Sequence, residues 1–207
     1  MQARLVRLKG SPDGAGERLA RFENEAVPAM RGQAGFGSVL ALGNAEGAEA
    51  VISYWDSEEA LVASREPLAA LDRMAPGLGL EVLSVDEYEV ALMEQKPGTG
   101  PEPGNAGRVT RARNIGDAID KVLAEVREEW LPLVQSLPGW KSTTVGVNRS
   151  AGRLYKVTWW ETPADHDASE AARAGHHAMV EQRFGASERE SERYEITFAD
   201  VPSRVRS

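Results

Sequence analysis

The sequence predicts an α+β protein in which one β-α-β-β-α-β unit occurs twice within 207 residues. Three observations predict this class: paired residues recur about 105 positions apart, a proline- and glycine-rich segment separates the two copies, and each copy shows the same order of strand and helix patterns. A repeat of this length matches a compact domain, because solenoid repeats run to only about 20–50 residues. The matched pairs are Arg4 with Arg108, Arg7 with Arg111, Pro28 with Pro132, Phe36 with Trp140, Asn44 with Asn148, Trp55 with Trp160, and Tyr88 with Tyr194.

Each copy begins with a strand, at residues 3–8 and again at 107–112, and a helix follows at 16–30 and 115–137. The second of these helices is the clearer, because its apolar residues recur with helical spacing from Ile115 to Trp130. A proline or glycine then ends each helix, as expected beyond a helix C-terminus.

A hairpin comes next in each copy, with strands at 36–42 and 49–55 and at 140–147 and 153–160. Turns rich in glycine and asparagine join the strands of each pair. Ser57 and Thr162 are predicted N-caps of the second helices, which extend to about Met74 and Arg183. The last strands are predicted at 85–92 and 193–198.

This order is the split β-α-β-β-α-β unit, in which two helices cover one face of a four-stranded sheet. The other face also needs cover, and the second copy on the same chain can supply it. We therefore predict a domain at 1–95, a linker at 96–106 and a second domain at 107–207. The expected assembly is a monomer with an internal pseudo-dimer, or a homodimer.

Composition limits the possible partners. The chain has 24 basic and 32 acidic residues and a net charge of −8, so it lacks the positive surplus that binds nucleic acid or anionic membranes. It has no cysteine for a disulfide or a thiolate metal site. No apolar stretch reaches the roughly 20 residues that span a bilayer, and the first residues do not resemble a signal peptide, so a cytoplasmic protein is expected.

The segments 28–36 and 51–60, and their copies 132–140 and 157–165, resemble the dimeric α/β-barrel superfamily. Within it the chain is most similar to antibiotic biosynthesis monooxygenase-like domains. The resemblance implies two tandem ferredoxin-like domains that pair as an intramolecular dimeric α/β barrel. It also implies cofactor-independent oxygenation of a small aromatic or polyketide-like substrate. Trp55 and Trp160 match the family's strand tryptophan, whereas Val51 and Lys156 stand where its asparagine is expected.

Two other functions stay open: a non-catalytic small-ligand-binding or stress-related barrel, and a haem-binding or haem-degrading protein with His176 or His177 as the iron ligand. Apart from that haem, neither an organic cofactor nor a metal is expected. All three histidines lie in the second copy, which therefore holds the better predicted site. The predicted catalytic residues are His176, His177 and Trp160. The predicted substrate-binding residues are Tyr155, Trp159, Trp140, Tyr54, Trp55 and Phe36.

The arginines that recur in the opening strands lie three residues apart, so the two members of each pair point to opposite faces of the strand. One of each pair could reach a carboxylate or an anionic ligand. Exposed charge at a sheet edge is the simpler interpretation of Arg4, Arg7, Arg108 and Arg111.

Overall fold

We analysed a computed structural model, which describes residues 1–67, 69, 75–184 and 188–201. Eight strands carry the fold, four from each copy of the repeat. In the first copy they are β1 (Gln2–Lys9), β2 (Phe36–Gly43), β3 (Ala48–Trp55) and β4 (Glu81–Gln95). In the second copy they are β5 (Ala106–Arg113), β6 (Trp140–Asn148), β7 (Arg153–Trp160) and β8 (Glu188–Asp200).

Helices fill the predicted positions between these strands. The first copy has α1 (Ala15–Arg21), α2 (Val27–Arg31) and α3 (Glu58–Ala63). The second copy has α4 (Ile119–Glu125), α5 (Leu131–Gln135), α6 (Pro163–Ala168) and α7 (Glu170–Phe184). Short 3-10 turns lie at Ala75–Leu78 and Gly116–Ala118. The predicted end of the first copy's second helix, near Met74, lies outside the described residues.

The opening helix of each copy contains one π-helical turn, at Phe22–Ala26 and at Val126–Trp130. The two turns are 104 residues apart, which is the offset of the repeat. A proline follows each turn by two residues, and because proline has no N–H it cannot continue the i to i−4 ladder. The N–H groups at 27 and 131 bond five residues back instead. Sequence periodicity predicted one continuous helix here and gave no sign of the wider turn.

The predicted N-caps are present in both copies. The Ser57 hydroxyl accepts a hydrogen bond from the Ala60 N–H, and the Thr162 hydroxyl accepts one from the Asp165 N–H. The second copy's last helix differs from the prediction, because it is divided at Ser169 into α6 and α7. The Ser169 side chain bonds back to the carbonyl of His166, which offers the backbone an alternative to the helical ladder.

Hydrogen bonds join the strands in the closed order β1-β3-β2-β8-β5-β7-β6-β4, so the predicted α+β barrel class is confirmed. The strand β4 is nearly twice its predicted length, with 15 residues, and β8 has 13. The chain forms two compact units, and the boundaries between them fall within β4 and β8. Unit 1 contains Met1–Glu87 and the stretch that begins at Glu195, and unit 2 contains Tyr88–Tyr194. The compact units therefore do not follow the boundaries of the repeat.

Each unit has an apolar core between its sheet and its opening helix. In unit 1 this core includes Met30, Val39 and Trp55. In unit 2 it is larger and includes Trp130, Trp140 and Trp160.

Candidate functional site

Unit 1 contains a cavity of about 430 Å³ between its sheet and its opening helix. The walls are mostly apolar, and they come from the helix-facing sides of β1 to β3, from the opening helix and from the segment before β4. Ligand pockets in proteins commonly measure about 300–1,000 Å³ and have mainly apolar walls with a few polar groups. Six apolar lining residues represent these walls: Val6, Leu8, Leu19, Phe22, Met30 and Leu80.

Arg4 is a buried positive charge in the cavity wall. It is 6% exposed, and its Nε and Nη2 donate to Glu87 Oε1 at 3.2 and 2.9 Å, while Nη2 also donates to the carbonyl of Leu61. The expectation of an exposed edge charge is therefore wrong for Arg4. Arg111 is buried as well, and its guanidinium pairs with Glu190. The carboxylates that pair with these arginines are about 80 positions away in the chain, which sequence patterns do not reveal.

Glu87 is shared between two arginines, since Arg65 also donates to its carboxylate. Burial raises the pKa of Glu87, but the hydrogen bonds from Arg65 and Arg4 outweigh burial and hold the pKa below its usual value. The carboxylate therefore stays charged at neutral pH and fixes the position of Arg4 in the cavity wall.

Other polar groups lie around the same cavity. Arg18 lines it and donates to Glu49 Oε1 and to the carbonyl of Ser11. The Ser53 hydroxyl also lines it, and it accepts a hydrogen bond of 3.0 Å from the indole N–H of Trp55. Trp55, which matches the strand tryptophan of the family, therefore lies in the neighbouring core and holds the Ser53 hydroxyl in place.

The repeat explains why this space is open in unit 1. Ala26 lines the cavity, and the residue 104 positions later is Trp130. Val51 also lines it, and its counterpart 105 positions later is Lys156. In unit 2 the indole of Trp130 is 1% exposed, and the Lys156 ammonium lies 3.2 Å from its ring centroid. A large aromatic ring and a long side chain therefore occupy in unit 2 the positions where unit 1 has an alanine and a valine.

His176, a predicted catalytic residue, has a buried side chain that contacts Glu125 and Trp130 in unit 2. Its side chain is 6% exposed, its Nε2 pairs with Glu125, and its ring centroid is 4.9 Å from that of Trp130. The side chain of His177 lies outside the described residues. His176 is not one of the described residues that line the cavity of unit 1.

Trp160 belongs to a second buried polar cluster in unit 2. The His166 ring packs edge-on against it at 5.4 Å, and the Arg173 guanidinium lies 4.7 Å from its ring centroid. Burial lowers the pKa of His166, and the nearby Arg173 charge lowers it further. Burial also lowers the pKa of Arg173, to about 10. The imidazole is therefore neutral at pH 7.

The remaining predicted residues are buried or partly buried in several separate places. Tyr155 packs edge-on against Tyr88 at 4.7 Å, and Trp159 lies close over Gly107, where an added Cβ would be 2.2 Å from the indole. Phe36 packs edge-on against Trp55 at 5.4 Å, and Tyr54 is buried on the other face of the same strand. Trp140 lines a smaller cavity of about 210 Å³ beside the linker.

The predicted residues whose side chains are described are thus absent from the lining of the larger cavity. The sequence did carry one signal for that cavity: the repeat sets Ala26 against Trp130 and Val51 against Lys156. The numbers of histidines and tryptophans favoured a site in unit 2, where large side chains occupy the positions that line the cavity in unit 1.

Comparison with known proteins supports the fold. No protein-family model matches the chain. Two uncharacterized proteins of Mycobacterium tuberculosis are 27% identical to it over 153 residues, which are 73% of this chain and 67% of their own length. None of the helices in the described part of the chain is long and apolar enough to cross a membrane.

Among solved structures, an anthrone oxidase-like protein has a TM-score of 0.71 and 16% identity, with 96% of this chain and 92% of that chain covered. A proposed monooxygenase from Fusobacterium nucleatum has a TM-score of 0.71 and 10% identity, with coverage of 97% and 94%. A ferredoxin-fold protein from Listeria monocytogenes, related to antibiotic biosynthesis monooxygenases, has a TM-score of 0.54 and 10% identity, with coverage of 94% of both chains. The chain shares the fold of these monooxygenase-like proteins.

Proposed function

We propose that unit 1 binds a small, flat aromatic or polyketide-like molecule in its cavity and that the chain oxygenates this molecule without an organic cofactor. The cavity of about 430 Å³ with mainly apolar walls is the observation that carries the proposal. Apolar walls favour a hydrophobic ligand, and the few polar groups can orient it. The shared fold with an anthrone oxidase-like protein supports the choice of an anthrone as the first test substrate.

The reaction proposed is the oxidation of an activated ring methylene by O₂. The substrate loses a proton to give a delocalised anion, and the anion passes one electron to O₂. The carbon radical and superoxide then combine to a peroxide anion, which takes up a proton to give a hydroperoxide. Loss of water then leaves a carbonyl, so CH₂ and O₂ give C=O and H₂O. Low-polarity walls exclude water from the anion, and a fixed positive charge near its oxygen stabilises it.

Arg4 is the residue we assign to that charge, because it is buried in the wall and held in place by Glu87. Ser53, fixed by Trp55, can donate its hydroxyl proton to a second oxygen of the ligand, since its lone pair already accepts from the indole. Both groups are in place before any ligand arrives, which reduces the ordering cost of binding.

The test combines binding and oxygen uptake. Titration with anthrone, followed by tryptophan fluorescence, should show saturable binding, and an oxygen electrode should show uptake that depends on the protein. The variant Ala26→Trp places at position 26 the side chain that unit 2 has at 130, and it should reduce binding at least tenfold, or about 1.4 kcal/mol. Glu23→Trp is the matched control, because Glu23 is exposed on the same helix and is absent from the cavity lining.

Saturable binding without oxygen uptake would favour the non-catalytic ligand-binding alternative. Equal binding by Ala26→Trp and the control would contradict the proposed site. A haemin titration tests the remaining alternative: a Soret shift that His176→Ala abolishes would identify a haem ligand.

A further inference from the structure

Unit 2 contains a compact group of ligand-type side chains that the proposed function does not use. Glu125, Glu129 and His176 each offer one donor atom, and within the described residues these atoms lie within 4.8 Å of one another. We propose that these three side chains bind one divalent first-row transition metal ion, such as Zn²⁺. Such an ion accepts both imidazole nitrogen and carboxylate oxygen as ligands.

The distances are compatible with a single ion. Zinc binds nitrogen and carboxylate oxygen at about 2.0–2.2 Å in a tetrahedral arrangement, so two of its ligand atoms are about 3.4 Å apart. The donor atoms lie within 4.8 Å of one another, so the most distant one needs to approach by up to about 1.4 Å, and the contacting His176 Nε2 and Glu125 Oε1 need to separate. Glu129, on the exposed side of the group, can supply that movement, because its side chain is 45% exposed.

A second observation also points to a cation. Glu125 is 5% exposed, and its Oε1 pairs with His176. Its other oxygen, Oε2, is buried without a hydrogen-bond partner among the described residues. A buried carboxylate oxygen without a donor is costly, and the contact of His176 with Oε1 does not satisfy Oε2. A divalent ion would neutralise the charge and coordinate the unsatisfied oxygen.

The repeat shows that this group is particular to unit 2. The counterparts of Glu125 and Glu129 are Arg21 and Glu25, which form an ordinary i,i+4 ion pair on the surface of unit 1. In unit 2 the arginine position carries a second glutamate, which creates a like-charge i,i+4 pair that destabilises a helix. The first copy has no histidine, so the new glutamate and His176 occur in the same unit.

The local helix geometry brings the two glutamates together. Glu125 directly precedes the π-helical turn Val126–Trp130, Glu129 lies within it, and π turns are frequent at functional sites. Two cations lie near the group: Arg183 donates to Glu129 Oε1 at 3.0 Å, and Lys156 lies over Trp130, whose ring also packs against His176. Metal binding must displace Arg183 from Glu129. Three protein ligands leave at least one coordination position for water, as in catalytic zinc sites.

The test uses full-length, tag-free protein that has been stripped of metal with a chelator. Co²⁺ titration followed by visible d–d absorption, and Zn²⁺ titration by calorimetry, should each show one saturable site per chain. Glu125→Gln, Glu129→Gln and His176→Ala should each weaken binding at least tenfold. Glu128→Gln is the matched control, because Glu128 is exposed on the same helix and lies outside the group.

Circular dichroism and thermal melting check that each variant folds. Glu129→Gln keeps the test decisive if a buried variant does not fold, because its side chain is partly exposed. Absence of saturable binding in the wild type would overturn the proposal. Wild-type affinity in Glu129→Gln, or loss in His177→Ala instead of His176→Ala, would overturn the ligand assignment. None of these results depends on whether unit 1 binds an aromatic ligand.

Discussion

Replacing Trp130 with alanine should open in unit 2 the space that unit 1 already has. The indole is 1% exposed, and removal of a buried tryptophan costs about 3–5 kcal/mol. The same change removes the ring beneath the buried Lys156 ammonium, and a desolvated cation–π contact contributes up to about 2 kcal/mol. The two losses overlap, so we expect a total of about 4–6 kcal/mol.

Thermal and urea unfolding measure this loss. For a chain of this length about 1 kcal/mol shifts the melting temperature by about 2–4 °C, so the variant should melt roughly 8–24 °C lower. Trp130→Phe is the matched comparison, because it keeps an aromatic ring under Lys156 and should lose less. A dry apolar cavity can bind a small aromatic molecule. Added indole should therefore raise the melting temperature of Trp130→Ala by more than that of the wild type, because both proteins contain the unit 1 cavity and only the variant has the new space.

Two results would refute the reasoning. A loss below about 1 kcal/mol would mean that the indole does not fill a space that the rest of the core leaves open. An indole effect no larger than that on the wild type, in a variant that remains folded, would mean that the surroundings collapse into the space. In either case the difference between Ala26 and Trp130 would not explain why one unit has the cavity.

Three further changes test the buried polar groups and the helix caps. Glu87→Gln should lower the stability by about 2–3 kcal/mol at pH 7, because it leaves buried Arg4 without its carboxylate. Since folding lowers the pKa of Glu87, the wild type should be the more stable protein above about pH 4.5 and should lose this advantage as the pH falls through the folded pKa. Urea melts of both proteins at several pH values measure the difference. Burial lowers the pKa of His166, so on acidification the unfolded chain takes up this proton before the folded chain does, and wild-type stability should fall as the pH drops below about 6.5. Urea melts of His166→Gln should show a weaker dependence of stability on pH over that range. The same dependence in variant and wild type would contradict the lowered pKa of His166. Thr162→Ala should cost about 1 kcal/mol in thermal melts, because its hydroxyl caps α6.

The elements of this fold could be predicted because they depend on local chemistry. Ser57 and Thr162 cap helices wherever the chain folds, and the glycine-rich turns determine the hairpins. The repeat doubled each of these signals. The lengths of the strands were harder to predict, because β4 and β8 are extended by pairing with strands that are distant in sequence.

The cavity and the buried arginines depend on long-range complementarity. Arg4 is buried because Glu87 reaches it from 83 positions away, and the sequence of β1 contains no sign of that partner. The volume of the cavity likewise depends on what every surrounding side chain leaves empty. Residue types alone favoured unit 2, where the histidines and most of the tryptophans occur, because a chemically distinctive side chain is easier to see in a sequence than an absent one.

The two units differ in how completely side chains fill their cores. A cavity of about 430 Å³ lacks packing contacts that would otherwise stabilise the core of unit 1. Unit 2 gains that packing through Trp130 and its contact with Lys156. Because β4 and β8 each contribute residues to both units, unfolding of one unit would disrupt strands of the other. The well-packed unit 2 can therefore stabilise unit 1, which contains the cavity.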